Sequence, residues 1–159
     1  MFSCNTISSK ENSGEITTYY FIRHAEKATD DPSNRDPELT EAGIKRSQNW
    51  AKVFEDISFD LIYSSDFKRT RATAQTIADS QNKKVSFYSS SKLNDEDFQE
   101  KTIGKTVLVV GHSNSNPEFI NYILQEEKYS DIDEMEYGSL YIITVLPDGT
   151  RTSKVLYIN

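Results

Sequence analysis

The run TVLVVG, Thr106–Gly111, most constrains the fold. A short, continuous apolar run ending in glycine reads as a strand buried on both faces, the pattern of parallel sheets covered by helices on each side. The chain around it alternates accordingly. ITTYYFI (16–22) is rich in β-branched and aromatic residues and reads as a first strand. LTEAGIKRSQNWAKVF predicts a helix over about 40–54, with Thr40 as N-cap and Ile44, Ala51 and Phe54 on its apolar face. Residues 59–65 read as a second strand, and DFKRTRATAQTIADS as a second helix with Phe67, Thr70, Ala74 and Ile77 on one side. A third strand over 84–88 leads into a polar loop reaching residue 105. After TVLVVG, NPEFINYILQEE predicts a helix with Pro117 in its first turn and Phe119, Ile120, Ile123 and Leu124 as its stripe. The end of the chain, 139–159, reads as two strands around a Pro-Asp-Gly turn.

This order implies an α/β three-layer sandwich with a mostly parallel central sheet and a C-terminal antiparallel hairpin at its edge. One domain over 16–159 follows a polar tail, 1–15. The formal net charge of -7 argues against non-specific binding to nucleic acid or to an anionic membrane surface. Cys4 is the only cysteine, so no intramolecular disulfide forms, and no zinc-ligand cluster is present. No apolar run approaches a transmembrane length. The tail MFSCNTISSKENSGE resembles the tether after a lipidated bacterial cysteine but lacks a signal peptide's charged start and apolar segment. The default expectation is cytoplasmic; the alternative is an exported lipoprotein anchored at Cys4.

In open α/β sheets ligands bind at the carboxyl ends of the strands. The first strand ends in Arg23-His24, the second in Ser64-Ser65 before a helix carrying Arg69, and TVLVVG runs into His112. The two histidines of the chain thus occupy the same kind of position. Arginine forks match phosphate oxygens and keep their charge when buried, and a neutral imidazole is nucleophilic. The combination predicts a phosphate pocket with a histidine nucleophile and no metal, since adjacent guanidiniums repel a cation. Ser64 and Ser65 are expected to cap the second helix, and Gly111 to allow close approach of a ligand. No Gly-x-Ser-x-Gly elbow is present, which excludes that serine hydrolase architecture.

These residues resemble a known family. Arg23-His24-Ala25 is similar to the Arg-His-Gly signature of the histidine phosphatase superfamily, which includes the phosphoglycerate mutases. SSDFKRTRATAQTIA resembles its second motif, with Arg69 matching the second phosphate-binding arginine. VVGHS resembles the motif of the second histidine, His112, and LTEAG fits the start of the family's first helix. The resemblance runs from about Thr17 to the C-terminus. It implies that His24 attacks phosphorus, that Arg23, Arg69 and His112 hold the phosphoryl group with help from Ser113, and that no cofactor takes part. The family often adds a carboxylic acid for the leaving group. KLNDEDF places Asp95 at that position, with Glu96, Asp97 and Glu26 as rivals.

Ala25 departs from the signature glycine, and the 89–105 segment is too short for a substantial cap. An open site favours hydrolysis over phosphoryl transfer, which needs water excluded. The resemblance therefore implies a small bacterial phosphatase of the phosphohistidine phosphatase type. Its substrate would be a phosphomonoester or phosphohistidine, carried by a small molecule or a phosphoprotein. The alternatives are a mutase-like phosphotransferase and a phosphate-binding module without turnover.

Overall fold

Residues 14–159 are described in a computed structural model, so the expectations for Cys4 and for tail residues 1–13 lie outside the described residues. The elements are β1 (Thr17–Arg23), α1 (Glu41–Val53), β2 (Leu61–Ser65), α2 (Lys68–Ser80), β3 (Val85–Tyr88), α3 (Glu96–Thr102), β4 (Thr106–Gly111), α4 (Ser115–Leu124), β5 (Ser139–Val145) and β6 (Arg151–Tyr157). The sheet order is β3-β2-β4-β1-β5-β6. The first four strands in that order are parallel, and β5 and β6 add an antiparallel edge.

Strand periodicity sorts the apolar residues onto two faces. Val107 and Val109 of β4 join Tyr19, Phe21, Phe98, Phe119 and Ile120 in one core, under α3 and α4. Leu108 and Val110 join Ile22, Trp50, Phe54 and Ile77 in the other, under α1 and α2. The result is a three-layer sandwich. Burying each large apolar side chain stabilises it by roughly 1.5–3 kcal/mol.

Two local expectations change. Helix α1 turns Gly43, Ser47 and Trp50 inward, while Ile44 is 50% exposed. Gly43 sets that rotation, because a side chain there would collide with the backbone of Glu26. The segment expected as a loop before β4 contains α3. Its N-cap is Asp95, whose carboxylate accepts from the Phe98 N–H, and its buried Phe98 anchors it to the first core. Among the described residues no helix is long and apolar enough to cross a membrane.

Candidate active site

The register of the central strands gathers the chemistry. Arg23 pairs with Gly111, so the residues that follow each strand emerge side by side. The His24 N–H donates to the Gly111 carbonyl at 2.9 Å, and the two imidazole rings lie 5.5 Å apart. The neighbouring strand β2 delivers Ser65, and the first turn of α2 delivers Arg69. Arg23, His24, Arg69, His112 and Ser113 all line one polar cavity of about 370 Å³ at this rim.

The hydrogen bonds define the tautomer of each histidine. His24 Nδ1 lies 2.7 Å from the Ala25 carbonyl oxygen, which only accepts. Nδ1 therefore carries the proton, and Nε2 keeps its lone pair. His112 Nδ1 faces Arg69 Nη2 at 3.5 Å, and a guanidinium only donates. Its Nε2–H accordingly donates to Ser65 Oγ at 2.8 Å, while Ser65 donates to Thr70 Oγ1 at 3.0 Å. Ser65 thus orients His112. The backbone N–H of Lys68 at the start of α2 is capped by Asp36, and Ser64 and Ser65 do not serve as the expected caps.

Burial, followed by the charges of Arg23, His112 and Arg69, pushes His24 down to about 3. Burial and then the charges of Arg69, Lys27 and Arg23 push His112 down to about 4. Both rings are therefore neutral at physiological pH, as a nucleophile must be. The same shifts have a cost in acid. The unfolded chain binds protons near pH 6.5 that the folded pocket refuses, so stability falls as pH drops from about 7 towards 4. Denaturant midpoints measured across that range show the slope, and His24→Asn flattens it. A slope that does not change in the variant counts against the neutral, buried His24.

Arg23 is 1% exposed and serves two sides. Its Nη1 donates to the backbone carbonyls of Asp133 (3.3 Å), Glu134 (2.9 Å) and Glu136 (3.1 Å). Its Nη2 reaches towards the cavity, 3.4 Å from the Glu134 carboxylate, and Tyr137 stacks on the guanidinium at 4.2 Å. Arg69 has buried Nε and Nη1 atoms without a hydrogen-bond partner, although Asp36 forms an ion pair with Nη1 at 3.8 Å. Buried, unsatisfied guanidinium donors beside a neutral imidazole are suited to an anion. Among the described residues no group of three or more His, Cys, Asp or Glu side chains is placed to hold a metal ion.

The candidate acids lie elsewhere. Asp95 caps α3 and lines a separate cavity beside Tyr88 and Lys101. Glu96 is exposed on the same helix, and Asp97 pairs with Lys101 at 2.7 Å. Glu26 is held by Arg46 at 2.8 Å. The carboxylates that line the cavity are Asp131 and Glu134, from the α4–β5 segment, and Lys27 and Asn114 complete its wall. Nothing in the motif pattern marks that segment. Asp95→Ala is expected to lower stability by about 1 kcal/mol through the lost cap and to leave kcat unchanged. A hundredfold fall in kcat in a variant of normal stability would return Asp95 to the chemistry.

Gly111 has a different role from the expected one. A side chain there would collide with Asn116 and Tyr88, so the close approach it permits is internal. A larger groove of about 820 Å³ opens alongside, sharing Asn114 and Asp131 with the cavity. Its lining contains no histidine or arginine, unlike that of the smaller cavity.

Comparison with known proteins gives the site a context. The profile of the histidine phosphatase superfamily (branch 1) matches residues 19–100. No curated protein is similar enough in sequence to count as a relative. Among solved structures, the protein histidine phosphatase SixA complexed with tungstate superposes with a TM-score of 0.67 at 19% identity, over 88% of this chain and 96% of that one. A phosphoserine phosphatase from Entamoeba histolytica in complex with phosphoserine gives 0.63 at 20% identity, over 87% and 95%. A mycobacterial glucosyl-3-phosphoglycerate phosphatase gives 0.62 at 12% identity, over 91% and 99%. At these identities the superpositions speak for the fold.

Proposed function

Because the chain belongs to the histidine phosphatase superfamily, we propose that it is a metal-independent phosphatase working through a phosphohistidine on His24. The observation that carries this reading is the Nδ1–H bond from His24 to Ala25, which leaves Nε2 as the free nucleophilic atom in a cavity rich in donors. Nε2 attacks phosphorus, and the bond to the leaving group breaks with its electron pair on the leaving atom. Water then attacks the phosphohistidine, the P–N electron pair returns to Nε2, and the proton that water loses balances the one the departed leaving group takes up from solvent.

The roles of the other residues follow from charge. Arg69 and the cavity-facing Nη2 of Arg23 hold phosphoryl oxygens, and Ser113 adds a hydroxyl. A phosphoryl dianion favours the protonated form of His112, which then gains a second N–H to donate. None of these roles requires a metal, because the spread negative charge is met by guanidinium and imidazolium groups.

No residue of the 89–105 segment lines the cavity, so nothing inserted there covers the site. That openness supports hydrolysis over transfer. It also admits a phosphoryl group carried on another protein as well as on a small molecule. SixA is described as a protein histidine phosphatase, and an imidazole leaving group fits a pocket that none of Asp95, Glu96, Asp97 and Glu26 lines.

The test is hydrolysis of 4-nitrophenyl phosphate in the presence of chelator, with alkaline quenching to trap the phosphoenzyme. Phosphate is expected on His24, and turnover is expected to survive the chelator. Undiminished turnover by His24→Ala overturns the proposal. Tight vanadate binding without any hydrolysis would instead identify a phosphate-binding module.

A further inference from the structure

We propose that Glu134, assisted by Asp131, selects substrates whose leaving group carries a positive charge. The proposal rests on the phosphatase reading and names the substrate class of that same site. It starts from an arrangement unusual for an anion pocket. Glu134 Oε2 lies 3.4 Å from Arg23 Nη2, and Oε1 accepts from Ser113 Oγ at 3.2 Å. The carboxylate thus occupies two donors assigned to the phosphoryl group.

The position of Glu134 is not accidental to a loose loop. Its own backbone carbonyl accepts from Arg23 Nη1 at 2.9 Å, so the residue is tied to the buried guanidinium at both ends. Its side chain is 77% exposed, which places the carboxylate at the rim and not at the base. Asp131 lines the same cavity from the same segment. Lys27 is the cation in the wall besides the two arginines.

When a phosphoryl group enters, its oxygens take Arg23 Nη2 and Ser113 away from Glu134. The carboxylate then stands beside a dianion with its former donors gone. An anionic remainder on the substrate adds a second repulsion. A cationic remainder (an ammonium, guanidinium or imidazolium group) supplies the lost partner. The rim therefore contributes with opposite sign to the two kinds of substrate, as charge complementarity does at binding interfaces generally. Exposed pairs are individually weak, but attraction in one case and repulsion in the other add to a discrimination of roughly tenfold.

The experiment compares O-phosphoethanolamine with 2-phosphoglycolate, esters of similar size that end in an ammonium and a carboxylate. Dissociation constants are measured by calorimetry on the His24→Ala protein, which holds the esters without turning them over. Orthophosphate, which has no leaving group, is the internal control. The ammonium ester is expected to bind about tenfold more tightly. The ratio is expected to collapse in His24→Ala/Glu134→Gln and to shrink in high salt. In the same variant orthophosphate affinity is expected to hold or rise, because its competitor is gone. Equal affinities for the two esters, or a ratio that Glu134→Gln leaves unchanged, overturn the proposal. Turnover of 4-nitrophenyl phosphate by the unmodified protein reports on the phosphatase reading separately. An intact ratio without turnover defeats that reading alone, and turnover without the ratio defeats the rim selection alone.

Discussion

His24→Ala is expected to lose turnover of an aryl phosphate by on the order of 10⁴-fold while retaining most of its affinity for orthophosphate. The split between rate and binding follows from the geometry. The P–N bond has no other atom to form on, because the Nε2 of His112 is committed to Ser65 and its Nδ1 faces Arg69. The donors proposed to hold an anion belong to Arg23, Arg69 and Ser113, side chains other than the His24 ring that line the same cavity. Added imidazole entering the space left by the side chain is expected to restore part of the rate. Loss of orthophosphate binding in parallel with rate would show that His24 holds the pocket together and would remove the argument for a nucleophile. Residual turnover above about 1% would do the same.

Arg23→Met is expected to lose both phosphate affinity and stability, the second by about 2–4 kcal/mol. Methionine fills similar space without donors. The carbonyls of Asp133, Glu134 and Glu136 then lose a charged donor, and Tyr137 loses the cation it stacks on. For a chain of this size the midpoint of thermal unfolding drops by roughly 5–15 °C. Faster amide exchange is expected over 131–138 with little change in α1 or α2. Arg23→Lys is not a rescue, because one ammonium does not span a cavity-facing contact and several loop carbonyls at once. An unchanged midpoint with weakened phosphate binding would reduce Arg23 to a ligand alone.

The layers of this fold were legible because they rest on apolar patterning. TVLVVG has no polar position to expose, and β4 carries it in register between β1 and β2. The strand ends were legible for the same reason, since fixing where Arg23 and Gly111 stop also fixes where His24 and His112 emerge. What escaped the sequence depends on polar residues that serve local structure. The acidic run at Asp95 reads as a candidate acid in the sequence, and in the fold Asp95 caps α3 and lines a cavity other than that of His24. Ser65 looks like a cap and is the partner of His112. Ile44 looks like core, but the close contact of Gly43 with Glu26 rotates α1 so that Trp50 enters instead. Glu134 was invisible because its place depends on Arg23, more than a hundred residues earlier in the chain.

That long reach has a consequence for biosynthesis. His24 leaves the ribosome early, within the segment that carries the family profile, residues 19–100. His112 follows much later, and the carbonyls that settle the Arg23 guanidinium come later still, at residues 133, 134 and 136. A nascent chain that stops short of residue 133 carries His24 but lacks the carbonyls that hold the Arg23 guanidinium. Under the proposed mechanism, activity is therefore expected only once the chain has been made through that segment.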